Sequence, residues 1–234
     1  MTFKKLIVLS VCAAAITACS SHQGYQSYQA PAYNNPGKFG VGLGVGTTGA
    51  TVEAKYAPSE TVMLRGSYNY LDFSMDEEFD DIDYDGDFKA NTVAGFVDIA
   101  PFHNGFIVSG GAYIGDKTLN LDATPTTNVE IGDTLFTPEE VGTLNGQAEL
   151  RNFAPYAGIG YDSFISSSTN WSFNARAGIM FTGAPKAELV SANGTLSSDP
   201  RLRAELDAEV SAIEDDAEDY RYYPVVTVGL TRRF

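Results

Sequence analysis

Cysteine and basic residues are scarce in this sequence. The two cysteines, Cys12 and Cys19, both lie in the N-terminal segment, so the body of the chain folds without a disulfide or a cysteine-based metal site. The 15 Lys and Arg residues stand against 30 Asp and Glu residues, which gives a formal net charge of −15. A surface of this sign repels phosphate backbones, and we therefore expect no nucleic-acid partner.

Long apolar runs are lacking as well. Beyond the N-terminus, no stretch reaches the roughly 18 apolar residues that a membrane-spanning helix needs. The sequence is instead rich in aromatic residues and glycine, with 13 Tyr, 14 Phe and 23 Gly. A β-barrel with aromatic girdles and glycine kinks has this composition, and so does a soluble β-sandwich. The length suits a single domain, because barrels routinely exceed the usual domain size.

The N-terminal residues differ in composition from the rest of the chain. Residues 1–18 predict an export signal, because Lys4 and Lys5 form a positive region, Leu6–Ile16 is apolar, and small residues follow. Residues 19–37 are rich in Gln, Ser, Asn, Pro and Tyr and cannot build a core, so we interpret them as a flexible tether. The folded domain is predicted over residues 38–234.

Alternation with a period of two predicts β-strands along this domain. In Trp171–Phe181, large apolar residues and Ala occupy one face, and Ser, Asn, Arg, Gly and Met occupy the other. Tyr222–Phe234 alternates in the same way, with one face apolar nearly to its end. Such strands suit a barrel with lipid outside and a polar interior. The side chains predicted to pair across this interior are Glu53, Lys55, Arg65, Lys89, Asn91, Asn174 and Arg176.

The connections between the predicted strands alternate in length. Short turns follow the second, fourth and sixth strands, whereas the long loops are 71–86, 116–149 and 182–219. In the last loop, Pro200–Ala217 places apolar residues at spacings of three and four and predicts an amphipathic helix capped by Ser198 or Asp199. The sequence therefore predicts an all-β fold, an eight-stranded antiparallel transmembrane β-barrel with long outer loops, one of them containing the helix.

The C-terminal residues GLTRRF resemble the terminal signal of bacterial outer-membrane β-barrels. Gly229, Leu230 and Phe234 match the pattern, whereas Arg232 stands where an aromatic or apolar residue is usual. The stretches DIDYDGD, APYAGIGY and YYPVVTVGL are similar to those of an uncharacterised proteobacterial outer-membrane family, and the whole domain looks like the small OmpA and OmpX type. The resemblance implies the outer membrane of a Gram-negative bacterium, with outer-membrane lipids and lipopolysaccharide as partners. It also implies assembly by the barrel-insertion machinery and periplasmic chaperones, with the tether in the periplasm.

The end of the export signal, Ile16-Thr17-Ala18-Cys19, resembles a bacterial lipobox. In that family of signals the cysteine becomes the lipidated first residue of the mature protein, which implies a lipoprotein anchored through Cys19. Ordinary cleavage after Ala18, with an incidental cysteine next to it, is the alternative.

Four aspartates in DIDYDGD, namely Asp81, Asp83, Asp85 and Asp87, form the first half of a calcium-binding loop. Alternate carboxylates can converge on a hard cation, and the glycine permits a sharp turn. The twelfth position would be Thr92 rather than Glu, so the full motif fails. A weak calcium site and a solvated acidic segment are both open, and no other cofactor is expected.

The sequence offers no constellation of catalytic residues. The single histidine of the folded domain, His103, falls in a predicted periplasmic turn, on the wrong side for chemistry on outer-leaflet lipids, so we expect no enzyme. An eight-stranded interior is just wide enough to be filled by side chains, which favours a structural or surface-interaction role. A narrow channel for ions or small solutes is the alternative, and a lipid-modifying enzyme is a third. We expect the helix to cap the outer mouth.

Overall fold

The computed structural model of the protein describes residues 38–79, 82–132, 134–167, 169–217 and 221–234. The predicted export signal, the tether with Cys19, and Asp81 lie outside these residues and stay predictions. The strands are β1 Lys38–Gly46, β2 Gly49–Ala57, β3 Val62–Phe79, β4 Ile82–Ile99, β5 Phe106–Pro125, β6 Val129–Ile131, β7 Thr134–Phe136, β8 Gly142–Glu149, β9 Phe153–Asp162, β10 Trp171–Phe181, β11 Lys186–Asn193 and β12 Tyr222–Arg233. The helices are α1 Pro138–Val141, α2 Ser163–Ser166 and α3 Pro200–Ala217.

Eight of the strands close into a ring. Their order is β1, β2, β3, β4, β5, β9, β10 and β12, all neighbours are antiparallel, and β12 pairs back with β1. Where the ring closes, Gly40 lies opposite Arg233 and Leu43 lies opposite Leu230. A closed ring has no edge with unpaired backbone groups, which is the condition for placing a sheet in hydrocarbon. The predicted eight-stranded antiparallel barrel is confirmed.

The two faces of the ring differ in polarity. The inward face buries the polar residues Thr51, Glu53, Lys55, Arg65, Asn69, Asp98, Asn174, Arg176 and Thr231. The outward face exposes the apolar residues Val41, Leu43, Val52, Leu64, Val93, Val97, Ile159, Phe173, Val226 and Val228. This is the reverse of a water-soluble core, and it suits a barrel whose outside contacts hydrocarbon.

Three strands of the ring continue beyond it at the end opposite the C-terminus. β3 and β4 stay paired in one continuous register up to Phe79 and Ile82, and β5 runs on to Pro125. Beyond the ring, β8 replaces β9 beside β5, and β11 pairs with β8. We call the continued parts of β3, β4 and β5, together with β6, β7, β8, β11, α1 and α3, the outer extension.

The outer extension corrects all three predicted long loops. Most of 71–86 and much of 116–149 are strands rather than loops, and 182–219 contains the strand β11 in addition to the predicted helix. Asp72, Asp87 and Asp122 stand at outward positions of β3, β4 and β5, so that this face of the strands is polar. A strand with water on that face lacks the apolar outward row that identified the lipid-facing strands.

The helix predicted over Pro200–Ala217 is present with these bounds as α3. Asp199, one of its two predicted caps, accepts a hydrogen bond from the backbone N–H of Arg201 at 2.8 Å. One face of α3 buries Leu202 and Leu206 in an apolar cluster with Ile131, Phe136, Val141 and Leu144. These contacts seat the helix on the outer extension. Among the described residues, no helix is long and apolar enough to cross a membrane.

Candidate functional site

Four charged side chains meet inside the barrel. Lys55 Nζ lies 2.9 Å from Glu53 Oε1 and 2.7 Å from Asp162 Oδ2. Arg176 Nη1 lies 3.1 Å from Glu53 Oε2, and its Nη2 lies 2.5 Å from Asp162 Oδ2. All four side chains are buried, and their two negative and two positive charges cancel. We call this group the lumen network.

Neutral neighbours add hydrogen bonds to the two carboxylates of the lumen network. Asn174 Nδ2 and Thr231 Oγ1 both donate to Glu53 Oε1, at 3.1 and 3.2 Å. The second carboxylate, Asp162, accepts a hydrogen bond from the backbone N–H of Phe164 through Oδ1, at 2.9 Å. Buried ion pairs repay their desolvation only when such additional donors satisfy the remaining lone pairs. The network is therefore a fixed structural feature of the lumen.

A second ion pair and three aromatic rings fill another layer. Arg65 binds Asp98 through two nitrogens, with Nε to Oδ2 at 3.0 Å and Nη2 to Oδ1 at 3.3 Å. The Arg65 guanidinium carbon lies 3.8 Å from the centre of the Phe96 ring, a cation–π arrangement. Phe96, Tyr113 and Tyr156 contact one another edge to face, with centroid distances of 5.3, 5.3 and 5.8 Å. We call these three rings the aromatic cluster.

The short helix α2 closes the end of the barrel that holds the C-terminus. It follows Asp162, and its Phe164 and Ile165 are buried in an apolar cluster with Ala57, Met63, Ala100 and Ile107. Arg233 Nη1 donates to the carbonyl oxygen of Ser167 at 2.6 Å, and its Nη2 donates to the carbonyl oxygen of Phe164. The prediction of a short turn after the sixth strand is wrong, because Ser163–Ser166 forms a helix whose Phe164 and Ile165 are buried inside the barrel.

Little space remains between these layers. A cavity lined by Glu53, Arg65, Tyr113, Tyr156 and Arg176, among others, has a volume of ≈ 10 Å³. This is about the smallest volume that holds one water molecule. The lumen is packed with side chains at this level.

The structure places four of the five charged residues predicted for the lumen inside it, namely Glu53, Lys55, Arg65 and Arg176. It brings Glu53, Lys55 and Arg176 together with Asp162, a residue that the sequence did not indicate. It pairs Arg65 with another missed residue, Asp98. A signal for Asp98 existed, since it has the same alternation as Ala94 and Phe96. For Phe164, the signal was the apolar pair Phe164-Ile165 within a segment that is otherwise rich in serine, which indicates a buried position.

A row of three residues marks where the outward face of the barrel changes solvent. Tyr70, Asn91 and Asp116 lie side by side on β3, β4 and β5. The outward residues on the ring side of this row are Tyr68, Val93 and Ile114, whereas those on the extension side are Asp72, Lys89 and Thr118. Because lipid selects apolar side chains and water selects polar ones, this boundary row lies at the membrane surface.

The prediction that Lys89, the fifth charged residue, faces the lumen is wrong. Its side chain is 54 % exposed on the outward face, 3.8 Å from the Asp87 carboxylate. Asn91, which was also predicted to face inward, is exposed on the same face. The polarity of both residues suggested the lumen, but they lie at or beyond the boundary row, where the outward face contacts water.

The predicted calcium ligands lie on a strand rather than in a loop. Asp83, Asp85 and Asp87 belong to β4, and Ser74 Oγ donates to Asp87 Oδ1 at 2.7 Å. An extended strand spaces alternate residues about 6.8 Å apart, whereas calcium needs oxygens that converge at about 2.3–2.6 Å. Among the described residues, no group of three or more His, Cys, Asp or Glu side chains is arranged to hold a metal. The calcium site stays a prediction, since Asp81 lies outside these residues.

The predicted assembly signal lies at the seam of the ring. Gly229 and Leu230 belong to β12, and the Leu230 side chain is exposed on the outward face. The backbone N–H of Phe234 donates to the carbonyl oxygen of Phe39 at 2.9 Å, and the two rings lie 6.4 Å apart. Recognition of these residues by the insertion machinery stays a prediction.

Comparison with known proteins agrees with this geometry. No protein-family model matches the chain, and no curated protein matches it. The crystal structure of Acinetobacter baumannii CarO2 is similar, with a TM-score of 0.58 and 24% identity over 86% of this chain and 100% of that one. Acinetobacter baumannii CarO has a TM-score of 0.58 and 26% identity, over 83% of this chain and 97% of that one. A major outer membrane protein from Thermus thermophilus is more distant, with a TM-score of 0.42 and 10% identity over 86% and 100%.

The chain is an eight-stranded outer-membrane β-barrel. It belongs to the outer membrane of a Gram-negative bacterium, as the resemblance of its C-terminal strand implied. This location accounts for the apolar outward face of the ring, and it puts the outer extension on the water side of the boundary row. Because barrels of this class have short periplasmic turns and long extracellular connections, the extension lies outside the cell.

Proposed function

We propose that the protein is a closed barrel with a structural or surface-interaction role, which holds the outer extension at the cell surface. The packing of the lumen is the observation that carries this proposal. The lumen network, the aromatic cluster and α2 occupy successive parts of the interior, and the cavity between them has a volume of ≈ 10 Å³. Outer-membrane lipids and lipopolysaccharide are the partners of the outward face. The insertion machinery and periplasmic chaperones act during assembly.

The closed lumen makes the proposal testable by conductance across planar lipid bilayers. We expect the wild-type barrel to give no steady ion current. Replacing the aromatic cluster, as Phe96→Ala, Tyr113→Ala and Tyr156→Ala together, removes the rings that fill one layer and should produce currents. Heat-dependent gel mobility of both proteins shows that each barrel is folded.

A narrow channel is the alternative function. The same conductance measurement would contradict our proposal if the wild-type barrel conducts ions. A steady wild-type current whose ion selectivity changes in Arg65→Gln or Arg176→Gln would establish a channel lined by these charges. A lipid-modifying enzyme has less support, because His103 lies in the exposed turn between β4 and β5, where its Nε2 is 3.3 Å from Thr61 Oγ1.

A further inference from the structure

The inward face of the outer extension is apolar, the opposite of the inward face within the ring. The register aligns one row of side chains across β3, β4, β5, β8 and β11. The row consists of Phe73, Phe88, Leu119, Ala148 and Ala187. Residues that lie directly opposite in antiparallel strands share a face. This row has the same alternation as Ala94 and Tyr113, which are buried in the lumen, so it faces the space above the barrel mouth.

Part of this face is left uncovered. The α3 cluster covers Ala123, Leu144 and Leu189, but Phe73, Leu119 and Leu121 remain 55, 43 and 41 % exposed. The opposite face of the same strands carries Asp72, Asp87, Lys89, Asn120 and Asp122. A sheet that turns its polar face outward and exposes contiguous apolar residues on the other face marks a surface for a ligand. We call Leu71, Phe73, Phe88, Leu119 and Leu121 the inner apolar face.

A buried lysine stands at the foot of the inner apolar face. Lys117 is 3 % exposed, and its Nζ donates to the carbonyl oxygens of Gly115 at 2.8 Å and Asn152 at 3.4 Å. No ion pair joins it to a carboxylate in the part of the chain that the structure describes. It lines a cavity of ≈ 10 Å³ together with Leu71 and Phe88. Burial lowers the pKa of the Lys117 ammonium, and the nearby charge of Asp116 opposes this shift.

We propose that the inner apolar face binds the tail of an anionic amphiphile, a medium-chain carboxylate whose head group pairs with Lys117. The carboxylate supplies the counter-ion that the buried ammonium lacks, replacing the long hydrogen bond to Asn152. The tail covers Phe73, Leu119 and Leu121. From Lys117 to Leu121, β5 extends about 13 Å, which suits an alkyl chain of medium length. The carboxylates of Asp72, Asp87 and Asp122 on the outward face of the same strands disfavour ligands that carry several negative charges.

This site goes beyond the proposed scaffold role, and it does not depend on whether the lumen conducts. The probe is decanoic acid with a photoreactive diazirine on its tail, added to the full barrel in lipid nanodiscs, with the corresponding decanol as the uncharged counterpart. Mass spectrometry locates the crosslinks. We expect the acid to label the strands of the inner apolar face saturably, and unlabelled decanoate to compete with it.

The variant Lys117→Met tests the head group. We expect labelling at the inner apolar face to fall about tenfold, since the charge-assisted hydrogen bond is lost. Lys89→Met is the matched control, because this lysine lies on the opposite face of the neighbouring strand. The Lys89→Met variant should be labelled as strongly as the wild type. A second variant, Leu121→Gln, changes an exposed residue and spares the buried lysine, and it should also reduce labelling.

Three results would overturn the proposal. Labelling of folded Lys117→Met at the wild-type level would show that the ammonium does not bind the head group. Equal saturable labelling by decanol would show the same. Crosslinks confined to lipid-facing residues such as Val93 and Ile114 would show that the probe enters the bilayer and not the mouth. Heat-dependent gel mobility confirms the fold of each variant, and if Lys117→Met does not fold, unchanged labelling of Leu121→Gln decides against the site.

Discussion

The ring and the outer extension are built from the same strands, yet their polarity is reversed. Within the ring, β4 turns Val93 and Val97 outward and buries Thr92 inside. Beyond the boundary row, the same strand turns Asp87 and Lys89 outward. The alternation of side chains continues without a shift, because the register of β3, β4 and β5 is continuous. What changes is the solvent on each face, and the difference shows that a period of two identifies a strand without identifying its apolar side.

The two regions also differ in how much a charged pair contributes to the stability of the fold. Asp162 and Arg176 are buried in the lumen network, whereas Asp87 and Lys89 are partly exposed to water at 43 and 54 %. Water screens the attraction between Asp87 and Lys89, and holding the two side chains together costs conformational entropy. In the lumen no solvent replaces a lost partner, so each charge depends on the others.

The largest expected effect comes from breaking the lumen network. Asp162→Asn keeps an oxygen for the Phe164 N–H but leaves two cations beside one carboxylate, and it should lower the free energy of unfolding by about 3–5 kcal/mol. Asp87→Asn, the same substitution in the exposed pair, should change it by less than about 1 kcal/mol. Urea unfolding from lipid vesicles measures both. Equal effects would remove the distinction between the two regions.

A smaller effect is expected from placing a charge on the outward face. Val228 lies on β12 midway between the aromatic ends Tyr222 and Phe234. Val228→Arg should destabilise the barrel by about 2–4 kcal/mol, because the guanidinium enters the middle of the hydrocarbon layer. The same change at Asn120, on the outward face of the extension, should cost less than about 0.5 kcal/mol. A large destabilisation by Asn120→Arg would show that the membrane surface lies beyond the boundary row, on the side of the outer extension.

The smallest expected effect is calcium binding by the acidic strand. We expect the negative charges of Asp81, Asp83 and Asp85 to repel one another, and calcium should reduce that repulsion with a Kd on the order of 10⁻⁴ to 10⁻³ M. Calorimetry in detergent compares the wild type with the variant in which all three are changed to Asn. Indistinguishable heats would identify a solvated acidic segment, and the barrel should remain folded in either case.

The strands of the ring could be predicted because lipid imposes a strong contrast on them. Trp171–Phe181 and Tyr222–Phe234 alternate so clearly that their inward and outward faces follow from the sequence. The helix over Pro200–Ala217 was equally clear from its apolar spacing and its Asp199 cap. The strands of the extension were predicted as loops, because their outward residues are as polar as those of a loop.

By itself, the sequence determined the eight strands of the ring, since periodicity is a local property of the chain, and the resemblance of the terminal strand implied the location. Only the tertiary structure decided what fills the lumen. Asp98 pairs with Arg65 across two strands, and Asp162 reaches Lys55 over a sequence separation of 107 residues. It also decided that α2 folds inward and that Lys89 points to water. Each of these depends on which segments the closed ring brings together, and no local pattern encodes that proximity.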